Sequence, residues 1–239
     1  MLIKHAKTNI EGISYTWTES EIIIRSTLDL HGLSNAALNG GNLITREIVN
    51  NYVPKSYTLE EFNSTFDNLQ KRHNLSDNSV VFLTAVKMKN AAIEKVSLGP
   101  IEMLLIVTAG TTNAASPQDG MNNYFSLQED LRNHEYNPKH NTINTIVIFD
   151  CDFPPHLYSN LFILLTEAKT VVLREGKIST QEGHCATGTT TDAIGVFTTG
   201  RLHKVNWSGL STEFGKLVSK AYMRNLKLSL IKGGYIDDS

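Results

Sequence analysis

Two stretches of this 239-residue chain concentrate hydroxyl, amide and glycine groups beside apolar runs: VTAGTTNAASPQDG at 107–120 and ATGTTTDAI at 186–194. The first follows the strand-like run 103–107, and the second leads into the strand-like run 193–198. Ligands gather where strand ends and loops converge in open sheets. The Thr hydroxyls, Asn113, Asp192 and free backbone N–H groups are suited to binding amides or to stabilising an oxyanion. The residues alone thus describe a polar pocket and name no reaction, with a plain pair of turns as the alternative.

Other chemistry-bearing groups are less telling. Glu167 and Lys169 are two apart on a predicted helix, so their side chains point about 200° from one another and do not share one site directly. Each reads first as an exposed helix charge. His184-Cys185 borders the second loop, and a Cys beside a His can act as a nucleophile, although adjacency in sequence sets no geometry. The eight histidines lack metal-ligand spacing, and no metal site is expected. Dinucleotide, P-loop, zinc-protease and serine-elbow motifs are all absent.

The elements that must position these groups follow from periodicity. Ile13, Tyr15 and Trp17 alternate with polar residues before 18–20 turns the chain into 21–25, which reads as a hairpin. Residues 33–41 form a small-residue loop. Thr58 and Glu61 make a capping box, and Leu59, Phe62, Phe66 and Leu69 carry a helix over about 59–73. Strands are expected near 80–87, 91–97 and 102–108, joined as a meander by short hairpin connections. The Asn-rich segment 119–142 reads as a lid or an insertion. The apolar run 143–149 suits a strand covered on both faces. Pro154 and Pro155 open a helix with an inward stripe of Leu157, Leu161, Leu164, Leu165, Ala168 and Val172. A last helix starts near Ser211, with Phe214, Leu217, Val218 and Ala221 inward and Lys216, Lys220, Arg224 and Lys227 on a solvated face.

The expected fold is α+β or mixed α/β: a single domain over 1–239, with a mixed sheet, N-terminal hairpin or meander strands, and helices packed on the sheet. A net charge of −2 argues against non-specific nucleic-acid binding. The two cysteines make no disulfide framework, no apolar run is long enough to span a membrane, and the N-terminus lacks a signal-peptide core. A cytoplasmic protein is expected; its oligomeric state is unreadable.

Taken in order, VTAGTTNA (107–114), NTINTIVIFD (141–150), TEAKT (166–170) and ATGTTTDAI (186–194) resemble the adenosylcobinamide amidohydrolase family of corrinoid salvage. LSNAALNGG (33–41), FLTAV (82–86) and STEFGKLVSKA (211–221) extend the similarity over about 30–222. The resemblance implies hydrolysis of the amide joining aminopropanol to the corrin propionate, giving adenosylcobyric acid and aminopropanol. The cobalt corrinoid is then the substrate, and no separate cofactor is implied. On this footing Asp192, ahead of Glu167, is the general base. Lys169 is a proton donor or oxyanion partner, and Thr111, Thr112, Asn113, Asn144, Thr187 and Thr189 bind substrate. Two departures stand out. The family's last helix usually opens with His-Thr where this chain has Ser211-Thr212, and 119–142 is longer than the family's usual link. A corrinoid-binding protein without turnover is the competing expectation.

Overall fold

The computed structural model describes residues 4–120 and 141–238, so the expected lid at 119–142 lies mostly outside the described residues. A nine-stranded mixed sheet is the frame. Its strands are β1 (Lys4–Lys7), β2 (Ile13–Trp17), β3 (Glu21–Ser34), β4 (Gly41–Tyr52), β5 (Val80–Thr84), β6 (Ala92–Leu98), β7 (Ile101–Ala109), β9 (Ile143–Asp152) and β11 (Ala193–Lys204). A separate two-stranded ribbon pairs β8 (Ala114–Ala115) with β10 (Gly188–Thr189). Among the described residues three helices pack with the sheet: α1 (Leu59–His73), α2 (Pro155–Glu175) and α3 (Glu213–Gly233).

The sheet runs β1-β2-β3-β11-β9-β7-β6, with β4 and β5 branching from the other edge of β3. β3 is long enough to serve two partners on one edge: its first half pairs with β2 and its last residues with β11. A register shift between Arg25 and Leu30 separates the two halves. The expected meander is only partly found. β6 and β7 form the hairpin, but β5 pairs parallel to β4 and does not pair with β6. A 3-10 turn at Met88–Asn90 carries the chain between β5 and β6, so their closeness in sequence does not become pairing. β4 has no counterpart among the sequence-based expectations. Its Asn50-Asn51 pair is poor strand chemistry, and its neighbours rather than its own propensity hold it in place.

Alternation along the central strands divides the core. Met103, Leu105 and Val107 of β7, with Val147 and Phe149 of β9, face α2 and α3. Leu104, Ile106, Ile146 and Ile148 point to the other side, where the curl of the sheet brings Ile22, Ile24, Ile48 and Phe82 against them. α1 closes the outer face of β3–β5 through Leu69 on Ile23, Val49 and Val81. Thr58 and Glu61 make the expected capping box, and Asn74 ends the helix in the left-handed region. β9 is buried on both faces along nearly its whole length. No helix among the described residues is long and apolar enough to cross a membrane.

Candidate active site

β7 and β3 end, and β9 and β11 begin, at the same edge of the sheet, because β7 and β3 run antiparallel to the parallel pair β9–β11. The two Thr/Gly loops leave that edge side by side. Gly188 pairs with Ala115 and Thr189 with Ala114, so the ribbon β8–β10 fastens one loop to the other. Asn113 Nδ2 adds a hydrogen bond to Thr190 Oγ1 at 2.7 Å, and Thr187 N donates to Ala115 O at 3.0 Å.

Asp192 sits at this joint. Its Oδ2 accepts from Lys169 Nζ at 2.5 Å and Thr189 N at 3.1 Å. Its Oδ1 accepts from Ile143 N at 3.1 Å and from the Thr189 hydroxyl. An ionised carboxylate offers about four lone-pair sites, and all are used. Asp192 therefore ties β9, β10 and α2 together through one side chain. Its backbone is fixed as well: Asn35 Nδ2 donates to Asp192 O at 3.0 Å, while Asn35 Oδ1 accepts from Ile194 N at 2.6 Å.

The Lys169 side chain is 9 % exposed and that of Asp192 12 %. The ammonium has three N–H groups, and Asp192 is its only partner among the described residues. Two donors thus remain for a ligand. Space for the pair comes from Gly188, where a Cβ would stand 2.5 Å from Asp192 Oδ2 and 3.0 Å from Lys169 Nζ. Behind the pair, Tyr222 is fully enclosed and its hydroxyl lies 3.2 Å from Thr145 Oγ1. Burial drives its phenol above the ordinary range, the Thr145 bond opposes this, and the Asp192 charge raises it further, so Tyr222 remains neutral.

The other sequence-derived residues are distributed as follows. Thr111 and Asn113 are buried in the first loop and Thr112 is exposed, while Thr187 and Thr189 are half-buried in the second. Glu167 lies on the opposite flank of α2, exposed, in a groove with Ser211, where the angular spacing puts it. Asn144 faces the interior of the curl. Its Nδ2 donates to Asn50 Oδ1 and Leu83 O, both at 3.0 Å, and Asn50 in turn donates to Thr108 Oγ1 at 3.0 Å. His184 and Cys185 are not joined to each other: His184 Nδ1 meets Asp119 Oδ1 at 2.9 Å, and Cys185 is exposed. The remaining thiol, Cys151, is buried and its pKa strongly raised by that burial.

Asp119, Glu182 and His184 bring ligand-type atoms within 4.8 Å of one another, the arrangement among the described residues that could hold a cation. Those groups already bond within the protein. Thr180 Oγ1 donates to Asp119 Oδ1 at 2.8 Å, and Gly120 N donates to Glu182 Oε1 at 3.0 Å. The cluster acts as a tether between the 116–120 and 180–184 turns.

Sequence reasoning did not single out Asn35, Gly188, Asn141 or Ile143 N. Asn35 lies in the small-residue loop, and Gly188 is flanked by two of the named threonines, so each had a local signal. Asn141 had none. It packs against Gly110, where a Cβ would stand 2.7 Å from its Nδ2, and that Nδ2 donates to the Tyr235 hydroxyl. The Oδ1 atoms of Asn113 and Asn141 are buried without partners.

Residues 5–233 match a family model described as adenosylcobinamide amidohydrolase. A curated relative of that name from Methanosarcina mazei is 25% identical over 227 residues, covering 91% of this chain and 98% of the relative. An uncharacterized protein of Methanocaldococcus jannaschii is 30% identical over 159 residues, 62% of this chain and 61% of that protein. Among solved structures, a Burkholderia sp. beta-aminopeptidase superposes with a TM-score of 0.44 at 13% identity, covering 96% of this chain and 82% of that one.

Proposed function

The chain belongs to the adenosylcobinamide amidohydrolase family, and from that premise we propose that Asp192 and Lys169 carry the proton transfers of the reaction. The reaction itself follows from membership. The amide of adenosylcobinamide is hydrolysed to adenosylcobyric acid and aminopropanol in corrinoid salvage, with the corrinoid as substrate. Two free cysteines support a cytoplasmic setting for it.

Amide hydrolysis needs a proton taken from water, a proton given to the departing amine, and a donor for the carbonyl oxygen. The 2.5 Å contact between the nearly buried Lys169 and Asp192 supports this assignment. The scissile carbonyl accepts from one of the two unengaged Lys169 N–H groups. When Lys169 turns to the substrate, the Oδ2 lone pair that held it is released to take a proton from the attacking water. The C–N bond breaks as Lys169 protonates the aminopropanol nitrogen, and the proton on Asp192 then returns to the neutral Lys169 amine across the same contact. Atoms and charge balance, and the pair is restored.

Thr189 and Ile143 N hold Asp192 while its partner is engaged elsewhere. Thr111, Thr112, Asn113 and Thr187 bind the amide-rich corrin periphery in this scheme, and Asn144 supports the edge from within. The test is turnover of adenosylcobinamide, followed as aminopropanol release by mass spectrometry. Asp192→Asn is expected to lower kcat by about 10²–10⁴-fold, and full turnover by that variant would remove the assignment.

A further inference from the structure

We propose that the groove between α2 and the 206–212 segment seats the adenine of the substrate's adenosyl group, an inference that rests on the corrinoid reaction above. The groove is about 570 Å³ and includes Ile163, Glu167, Trp207, Ser208, Leu210 and Ser211. Six large hydrophobic residues are markedly exposed among the described residues, and three of them meet here: Trp207 at 67%, Ile163 at 59% and Leu210 at 55%. Such convergence on a monomer surface marks a binding face. The polar groups are equally specific. Glu167 has no hydrogen-bond or ion-pair partner among the described residues, and the Ser208 hydroxyl is buried without one.

The segment is preformed. Thr212 caps α3 by accepting from Gly215 N at 3.0 Å and returns a hydrogen bond to Gly209 O at 2.7 Å. Gly215 lies so close that a Cβ there would stand 2.1 Å from Ser208 O. His156 packs against the Trp207 indole, 5.8 Å between ring centroids. An exposed indole braced by His156, in a groove also lined by Ile163 and Leu210, suits a flat bicyclic base, whose faces stack and whose amine donates at its rim. Glu167 is placed to accept that amine. It lies on the flank of α2 opposite Lys169 and nearer to it along the helix than His156, so the base would extend from the reacting amide toward the start of α2.

The test compares adenosylcobinamide with dicyanocobinamide, which lacks the base, as substrate or competitive inhibitor of wild type, Trp207→Ala and Glu167→Gln. Trp207→Ala is expected to raise KM for adenosylcobinamide about tenfold or more, with a clearly smaller change in KM or Ki for dicyanocobinamide. Equal changes for both corrinoids, or none for either, would overturn the assignment. Free adenosine should quench the fluorescence of Trp207, a response lost in Trp207→Phe, where only Trp17 remains. The absence of that difference would also count against the groove. A wild type that hydrolyses no corrinoid yet shows the adenosine response would refute the reaction and leave the groove standing. Concentration-dependent self-association abolished by Trp207→Ala would assign the face to a second copy instead.

Discussion

Two polar clusters lie at one end of the sheet, one of neutral Asn and Thr and one built around the Asp192–Lys169 pair, and they differ in what they leave open. Inside the curl, Asn50, Asn144 and Thr108 bond to one another and to Leu83 O, and all three are essentially inaccessible. At the loop joint, Asp192 is saturated, yet Lys169 retains two free donors and Asn113 a buried oxygen with no partner. The first cluster is closed and stabilises a fold in which polar burial without partners would be costly. The second is incomplete without a ligand. The charged pair sets the second apart by residue type, and the count of donors and acceptors shows what it leaves open.

Breaking the comparison at its strongest point means separating the charges. Asp192→Asn and Lys169→Met should each lower kcat by about 10²–10⁴-fold, and each should cost about 3 kcal/mol by stranding a buried group. The double variant should regain most of that stability and none of the activity, as read by chemical denaturation beside aminopropanol release. Gly188→Ala should come next. Its added methyl group meets Asp192 Oδ2 at 2.5 Å, so about 1–3 kcal/mol of overpacking strain is expected, together with a loss of kcat that exceeds the change in KM.

Exchanging the two clusters sharpens the contrast further. Asn144→Ala should destabilise by about 1–3 kcal/mol, because Asn50 Oδ1 and Leu83 O lose their donor. Asn113→Ala should leave Tm nearly unchanged and raise KM, since its one bond reaches the exposed Thr190 and its oxygen bonds nothing. The reverse pattern would interchange the structural and ligand-facing roles.

The smallest effect concerns acid. The hydrogen bond from His184, opposed by desolvation and joined by bonds from Ser116 and Thr180, holds the Asp119 carboxyl below its usual range. A depressed folded-state pKa contributes stability that is present above the unfolded value, near 4, and lost as pH falls through the folded one. Protection factors for amide exchange at 116–120, taken relative to the intrinsic rate at each pH, should therefore fall at acid pH in the wild type. In Asp119→Asn they should already be low at neutral pH.

Much of the frame was legible because its signals are local. The Thr58–Glu61 capping box, the apolar run of β9 and the proline start of α2 each follow from a few adjacent residues. The parallel pairing of β4 with β5 was not, since hairpin spacing favours the neighbour in sequence and β4 is held by its partners. The candidate site was legible in its parts and not in its assembly. Lys169 and Asp192 are separated by 23 residues, and neither carries a mark of the other. What joins them is the register of β9 and β11 and the missing side chain at Gly188. Asn141 shows its relevance only through packing on Gly110 and Tyr235.

The pairing of β3 with β11 has a kinetic consequence. Ser34 meets Gly195, and Asn35 grips the backbone of Asp192 across 157 residues of chain. Closing so large a loop is slow relative to making hairpins and helices. The hairpin β2–β3, the β6–β7 pair and the helices can form early, while the seam that anchors Asp192 waits for both ends of the chain. Competence for catalysis should therefore appear as a late phase of refolding, after most of the helical signal has returned.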